Sequence, residues 1–232
     1  RQRQMCIRDR PPSMTDAEFV EQTIDYVRSE LDGAEGGHDW FHTQRVFRNT
    51  LLIAKDEKVN ILIVSLAALL HDVADSKFHD GDEDAGPKKA DAFMRKIGVP
   101  QAIRTHVVQI IRNISFKNSL EKNKKPFTSD ELFVVRDADR LDAMGAIGIA
   151  RAFNFGGYKG RKLYDPEIAP RVKMSKAEYK KSDGPTLNHF YEKLLLLKDR
   201  MHTDTGKRLA EKRHAFMLEY LEEFYREWNG TA

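Results

Sequence analysis

The chain has 232 residues, of which 41% are hydrophobic and 32% are charged, so it is long and apolar enough to bury one sizeable core. Its formal charge of +3 comes entirely from the first residues, where Arg1, Arg3, Arg8 and Arg10 face the single Asp9. The rest is formally neutral, which argues against a broad surface for nucleic-acid polymers. No apolar run reaches the roughly 18 residues of a membrane span. The lone Cys6 excludes an internal disulfide and fits a reducing, cytoplasmic compartment.

Residues 1–13 differ in composition from everything that follows. They alternate Arg and Gln, contain Pro11-Pro12 and show no helical period, so we interpret them as a non-native leader or a short disordered basic arm. Residues 14–232 are expected to form one helical domain. A capping box, Thr15-Asp-Ala-Glu18, opens its first helix, and Gly33 ends it.

Two further helices carry the first histidines. A helix from about Asp39 to Glu57 places His42 in its first turn. The next helix, Asn60 to Asp72, is apolar all round from Ile61 to Leu70, which is typical of a buried helix. His71 and Asp72 close it, and an ionisable pair at the end of a buried helix needs a partner or a metal.

The remaining pattern is also helical. A polar loop at 75–84 follows, then helices at about 88–97 and 101–113, and a second capping box, Thr128-Ser-Asp-Glu131, opens a helix that presents Asp139. Residues 156–185 predict a long surface excursion, followed by one helix between Leu187 and Met201 and a last helix that ends near Trp228. No strand alternation is present, so the predicted fold class is all-α.

Four of these side chains form a mixed nitrogen and oxygen ligand set: His42, His71, Asp72 and Asp139. Two imidazoles and two carboxylates suit a first-row divalent cation such as Mn²⁺, Fe²⁺, Co²⁺ or Zn²⁺. The sequence therefore predicts a metal site that joins three helices.

The motifs His42-Thr-Gln-Arg45-Val46, Leu69-Leu70-His71-Asp72 and Asp137-Ala-Asp139-Arg140-Leu141, in that order, resemble the HD-domain superfamily of metal-dependent phosphohydrolases. The resemblance covers a metal-binding core of about 37–152. Three further stretches, 37–42, 114–117 and 212–217, are similar to a bacterial branch of stand-alone hydrolases, some of them linked to nucleoside triphosphate pyrophosphohydrolysis. The resemblance implies an HD-domain helical bundle with a C-terminal helical extension.

The resemblance also implies roles for individual residues. His42, His71, Asp72 and Asp139 would hold Mn²⁺ most readily, with Mg²⁺, Co²⁺, Fe²⁺, Ni²⁺ or Zn²⁺ as alternatives. Asp75 would assist the attacking water, although relatives often carry glutamate there. Apart from the resemblance, Arg45 lies three residues after His42 and Lys77 closely follows Asp75, so both are expected to face the site and stabilise developing charge. His38 and Asp142 are candidates either for contact with the substrate or for support of a metal ligand from behind. The other substrate-binding candidates are Lys117, Arg140, Arg151, Arg213 and His214.

The number of metals follows from a departure from that pattern. Binuclear relatives place a His-His pair where this chain has Asn113-Ile114-Ser115, which suggests one metal. His106 lies upstream and is the residue that could overturn the one-metal prediction, although a histidine in an apolar helix is more often structural.

The leading hypothesis is a phosphohydrolase acting on a small phosphorylated compound, with pyrophosphate release from a nucleoside triphosphate favoured. The alternatives are a non-catalytic, metal-stabilised module that binds a nucleotide or a protein partner, and an iron-dependent oxygenase on the same scaffold. The apolar last helix could pack internally or form a homodimer, since Phe224, Tyr225 and Trp228 lie close together in sequence.

Overall fold

Helices account for the regular structure of the chain in a computed structural model that describes residues 14–33, 39–73, 84–114, 127–171 and 184–231. The α-helices in chain order are α1 Asp16–Glu30, α2 Trp40–Ala54, α3 Ile61–Leu70, α4 Ala85–Lys96, α5 Gln101–Ile114, α6 Asp130–Asp142, α7 Gly145–Tyr158, α8 Asn188–Glu192 and α9 Asp204–Trp228. A 3₁₀ helix, Leu194–Arg200, joins α8 to α9. These described residues contain no strand, which confirms the predicted all-α class.

Helix α3 lies at the centre of the fold. All its residues from Leu62 to Leu70 are buried, and it packs against α1, α2, α5 and α6. The side chain of Asn60 caps its first turn by accepting a hydrogen bond from the backbone N–H of Ile63. Although α3 is strongly apolar, no helix in the described ranges is both long and apolar enough to cross a membrane.

The two predicted capping boxes have different outcomes. Thr15 and Glu18 cap each other at the start of α1 as predicted. The second prediction was wrong, because Ser129 and not Thr128 is the N-cap of α6 and accepts a hydrogen bond from the backbone N–H of Leu132. The helix therefore starts one residue later. Glu131 instead accepts a hydrogen bond from the backbone N–H of Asn60, which ties α6 to the start of α3.

The C-terminal part differs from the predicted pattern in two places. The expected single helix between Leu187 and Met201 is broken at Lys193 (φ −146°, ψ −55°) into α8 and the 3₁₀ helix. The glycine-rich stretch begins inside a helix, because α7 continues to Tyr158. Gly156 allows this close packing, since a Cβ there would lie 2.0 Å from Thr186 Oγ1. The excursion thus starts at Lys159, and its residues 172–183 lie outside the described part of the chain.

The C-terminal helices pack directly on the helices that carry the predicted site. Helix α9 contacts α6, α7 and the 3₁₀ helix. The ring of Tyr164 makes edge contacts with Phe224, Tyr225 and Trp228, so these three side chains have a packing partner within the chain. Trp228 remains 49% exposed. The homodimer stays a prediction.

Candidate metal centre

Three helices bring the four predicted ligands together. His42 lies in the first turn of α2, His71 is the C-cap of α3 with Asp72 next to it, and Asp139 lies on α6. The Nε2 atom of His42 is 3.5 Å from Asp72 Oδ2 and 3.6 Å from Asp139 Oδ1. The Nε2 atom of His71 is 3.5 Å and 4.0 Å from the same two oxygens. Residues 97 positions apart in sequence, 42 and 139, thus face one small space.

The orientation of His71 is fixed by its own helix. Its Nδ1 lies 2.8 Å from the backbone oxygen of Ala68. A carbonyl can only accept, so Nδ1 carries the proton and Nε2 presents its lone pair to the three other candidate ligands. This Nε2 is buried and has no hydrogen-bond partner among the described residues. A buried nitrogen left in this state is costly unless something binds it, and a cation satisfies it.

His42 is held in the matching orientation from the opposite side. Its Nδ1 lies 2.7 Å from Asp142 Oδ2, and its backbone N–H donates to Asp39, the N-cap of α2. Burial acts to lower the pKa of His42, but its hydrogen bonds to Asp142 and Asp72 and the charge of Asp139 raise the pKa to about 9. The site therefore attracts positive charge strongly enough to bind a proton at neutral pH, and a divalent cation competes for the same position.

The donor atoms fit a divalent metal. Two ligand atoms each about 2.1 Å from one cation lie roughly 3.0–3.5 Å apart. The separations between the histidine nitrogens and carboxylate oxygens are at or slightly above this range, and ligand atoms of His42, His71 and Asp72 all lie within 4.8 Å of one another. Asp139 is the most exposed of the four, with 39% of its side chain accessible. These four side chains could hold a metal that is enclosed on the side of the buried histidines and accessible to solvent on the side of Asp139.

Asp142 is almost fully buried behind His42. Besides His42, it accepts hydrogen bonds from Nε and Nη2 of Arg45 at 2.6 and 3.0 Å and from Nη1 of Arg151 at 2.8 Å. Burial acts to raise the pKa of Asp142, but the hydrogen bonds from His42 and Arg45 and the charge of Arg151 hold it far below its usual value. Asp142 is therefore a carboxylate that connects α2, α6 and α7.

Other predicted substrate residues have structural partners. Arg140 donates to the backbone oxygen of Arg200, and burial together with the charge of Arg136 lowers its pKa to about 10. Arg213 donates to the backbone oxygen of Leu141 and to the side-chain oxygen of Asn49. The contacts of these two arginines join the C-terminal segment to α2 and α6. His214 on α9 differs from them, because its buried Nδ1 has no hydrogen-bond partner among the described residues, and burial lowers its pKa.

Four further predictions, His38, Asp75, Lys77 and Lys117, lie outside the described residues. His106 is described, and its Nε2 lies 3.0 Å from the hydroxyl of Ser129 while its ring packs on Phe127. This supports its interpretation as a structural histidine. Asn49, which supports Arg213, was not singled out as a site residue. The available signal was its position seven residues after His42, on the same side of α2.

Known proteins resemble the chain over almost its whole length. A sequence model of the HD domain matches residues 40–144. The Bacillus subtilis protein YpgQ is 38% identical over 217 residues, which cover 94% of this chain and 97% of YpgQ. A crystal structure of an HD-superfamily hydrolase from Bacillus thuringiensis is 43% identical with a TM-score of 0.74, covering 93% of this chain and 99% of that one.

One related structure also contains a ligand. It is the crystal structure of Bacillus subtilis YpgQ in complex with ADP, which is 36% identical to this chain with a TM-score of 0.73. The match covers 92% of this chain and 97% of YpgQ. The ligand-bound relative thus shares the fold over most of this chain and not only one motif.

Proposed function

The chain belongs to the HD domain family of metal-dependent phosphohydrolases, and from this premise we propose that its substrate is a nucleotide and that it releases pyrophosphate from nucleoside triphosphates. The observation that carries the hydrolase assignment is the convergence of His42, His71 and Asp72 on one space, with the buried Nε2 of His71 lacking a hydrogen-bond partner among the described residues. The ADP bound by YpgQ supports a nucleotide as substrate. The preference for pyrophosphate release rests on the resemblance to the stand-alone bacterial branch.

We assign metal binding to His42, His71, Asp72 and Asp139, with Mn²⁺ as the first expectation. A divalent cation held by these residues would supply two contributions to hydrolysis, a lowered pKa for a water molecule and polarisation of the phosphorus that is attacked. The two histidines contribute neutral nitrogen ligands because each is fixed with its Nε2 toward the site. The two carboxylates formally balance the 2+ charge of the cation, so the proposed Arg45 and Lys77 have to supply the positive charge that attracts phosphate oxygens.

The remaining chemistry needs a base and cations. Asp75 follows Asp72 by three residues, and we propose that its carboxylate orients or deprotonates the water. Lys77 and Arg45 are proposed to absorb the charge that builds up on the phosphate oxygens. Arg45 is supported by its place one turn after His42 and by a side chain that is 30% exposed while its guanidinium holds Asp142.

The substrate candidates divide by what they contact. Arg151 lies beside the site, with 24% of its side chain exposed, and is a suitable phosphate contact. Arg140 and Arg213 already hold backbone carbonyls of the C-terminal segment and of α6, so we give them supporting roles. His38, Lys117 and His214 remain proposed substrate contacts on the strength of the sequence alone.

The test is a substrate panel. Purified protein with Mn²⁺ is incubated with nucleoside tri-, di- and monophosphates, and phosphorus NMR distinguishes pyrophosphate from orthophosphate. Pyrophosphate from triphosphates is the expected product. Orthophosphate from monophosphates would replace the proposal with a nucleotidase activity. No product from any nucleotide, with metal bound and with thermal stabilisation by nucleotide, would favour the non-catalytic binding module.

Matched variants make the panel specific to this site. Asp72→Ala removes one proposed ligand and is expected to abolish turnover. The control Asp91→Asn changes a carboxylate on α4 that pairs with Arg95 and Arg104. This variant is expected to retain turnover. Equal activity in both variants would assign the hydrolysis to a contaminant or to another site.

The cellular location, the absence of a nucleic-acid partner and the oligomeric state remain proposals from the sequence. We propose a cytoplasmic location because the chain has a single cysteine, and we propose that no nucleic-acid polymer is bound because the charge after residue 13 is balanced. A homodimer through the apolar C-terminal helix is the proposed assembly, which size-exclusion chromatography with light scattering would test.

A further inference from the structure

We propose that Asp142 is a positioning residue, and that Arg45 and Arg151 hold its buried carboxylate so that it fixes the ring of His42 for metal binding. The inference rests on the proposed ligation of the metal by His42. It assigns to Asp142 a role different from direct contact with substrate, and it gives Arg151 an effect on a metal that it does not ligate.

The geometry of Asp142 leaves little freedom. Its side chain is 2% exposed, and both carboxylate oxygens are occupied. Oδ2 accepts hydrogen bonds from His42, Arg45 and Arg151, while Oδ1 accepts from Nε of Arg45. A carboxylate with donors from two other helices cannot rotate without breaking several charge-assisted hydrogen bonds, each stronger than a neutral one. The oxygen that faces His42 is therefore held in place.

The backbone of the same residue is fixed as well. Arg151 also donates to the backbone oxygen of Asp142 at 3.2 Å, and Arg213 donates to the backbone oxygen of Leu141. These carbonyls lie at the end of α6, where cations stabilise a helix. Arg213 in turn reaches Asn49 on α2, the helix of His42. Arg213 thus links the end of α6 to the second half of α2, while Arg45 links Asp142 to the first turns of α2.

This arrangement has two consequences for His42. The Nδ1–H of the ring must donate to Asp142, so the lone pair of Nε2 is available to the cation. A carboxylate hydrogen-bonded to the far nitrogen also makes the near nitrogen a stronger ligand. Residues that support a histidine ligand in this way typically contribute about 10–100-fold to metal affinity.

The two arginines explain how a third carboxylate can lie so close to a site for phosphates. An uncompensated buried carboxylate is costly and would repel an anionic substrate. With two guanidinium groups on one carboxylate, the group as a whole carries positive charge. Asp142 can therefore orient His42 without making the site more hostile to a nucleotide.

The first test measures metal affinity by calorimetric titration with Zn²⁺. Asp142→Asn is expected to raise the dissociation constant about 10–100-fold, whereas Asp91→Asn is expected to leave it unchanged. Asp91 is a matched control because it also accepts hydrogen bonds from two arginines, Arg95 and Arg104, and lies on α4, which carries none of the proposed ligands. A folded Asp142→Asn protein that binds Zn²⁺ as tightly as the unsubstituted protein would overturn the proposal.

Arg151→Met separates positioning from simple charge effects. Removal of a nearby positive charge should strengthen cation binding if electrostatics alone acts at this distance. If Arg151 holds the carboxylate that orients His42, the same substitution should instead weaken Zn²⁺ binding several-fold. Tighter binding in Arg151→Met would therefore contradict the proposal.

A measurement on the unsubstituted protein does not depend on any variant folding. In the Zn²⁺-loaded, ¹⁵N-labelled protein, the ring of His42 is expected to carry its proton on Nδ1 and to bind the metal through Nε2, which the nitrogen chemical shifts distinguish. The opposite tautomer would exclude a hydrogen bond from Nδ1–H of His42 to Asp142 and would contradict the proposal. None of these readouts uses a nucleotide, so they can support the positioning role even if the substrate panel fails.

Discussion

The carboxylate of Asp137 accepts two hydrogen bonds from Thr203, one from its backbone N–H at 2.8 Å and one from its hydroxyl at 2.9 Å. Asp137 is fully buried on α6, and Thr203 is the N-cap of α9. Gly206 completes the contact, because a Cβ there would lie 2.6 Å from Asp137 Oδ2. The helix that carries Asp139 and Asp142 thus also fixes the start of the last helix.

Asp137→Asn is expected to destabilise the protein by about 2–4 kcal/mol, because an amide nitrogen would face donors that need an acceptor in a buried position. Urea unfolding measures this change. The Zn²⁺ affinity of the folded variant should be unchanged, since Asp137 contacts Thr203 and His202 and none of the proposed ligands. Stability equal to that of the surface variant Asp91→Asn, expected to lose less than about 1 kcal/mol, would contradict this role.

Asp72→Ala tests the metal centre itself. The substitution removes the carboxylate that lies 3.5 Å from the Nε2 atoms of both histidines, so metal binding and turnover are expected to be lost. Asp72 follows the end of α3 and is partly exposed, so circular dichroism should show nearly unchanged helical content. Metal-dependent activity that survives in Asp72→Ala would remove the basis for the proposed function.

Metal binding should also be visible as stability. A ligand that binds only the folded state at about 100 times its dissociation constant stabilises that state by about 2.7 kcal/mol. Thermal unfolding with and without Mn²⁺ is therefore expected to show a higher midpoint with the metal, and EDTA should reverse it. The matched comparison is Asp72→Ala, whose midpoint should not respond. A shift of equal size in that variant would indicate binding elsewhere.

The sequence predicted the features that depend on neighbouring residues. The buried course of α3 follows from its uninterrupted apolar run, and the capping of α1 follows from Thr15 and Glu18. The three histidine and aspartate motifs were found because each ligand sits at a recognisable place on its own helix. Their actual convergence, at separations of 3.5–4.0 Å, required the packing of α2, α3 and α6.

Two kinds of feature could not be predicted: contacts between residues far apart in sequence, and segments whose apolar spacing suits both an α-helix and a 3₁₀ helix. Asp142 and His42 are 100 positions apart, and no local signal pairs them. The break at Lys193 was missed because apolar residues spaced by three and four suit an α-helix, while the spacing of three between the buried Leu194 and Leu197 also suits a 3₁₀ helix. The long side chains of Arg140 and Arg213 looked available for substrate until the carbonyls that they hold were known.

Acid should destabilise the protein through His189 on α8. Burial, together with the charges of Lys193 and Arg161, lowers the pKa of His189 from 6.5 to about 3. Below pH 6.5 the unfolded chain therefore binds a proton that the folded protein does not, and the free energy of unfolding falls by up to about 1.4 kcal/mol per pH unit until pH approaches the folded value. Urea unfolding between pH 7 and 4 should show a steeper decline for the unsubstituted protein than for His189→Gln. Parallel curves would contradict the depressed pKa.

The close contact between α6 and α7 can be tested with two glycines of the same helix. A Cβ at Gly148 would lie 2.3 Å from the backbone oxygen of Ala143, whereas a Cβ at Gly157 would meet nothing within 4 Å. Gly148→Ala should cost about 1–3 kcal/mol because backbone must move, and Gly157→Ala should gain up to about 1 kcal/mol from its higher helix propensity.

The two glycine variants also test whether the position of α7 affects metal binding. Movement of α7 away from the end of α6 would carry Arg151 away from Asp142, whose Oδ2 now lies 2.8 Å from Nη1. Gly148→Ala is therefore expected to weaken Zn²⁺ binding as well as stability, and Gly157→Ala is expected to leave Zn²⁺ binding unchanged. If Gly148→Ala lowers stability alone, the position of α7 does not control His42, and the support of Asp142 comes from Arg45.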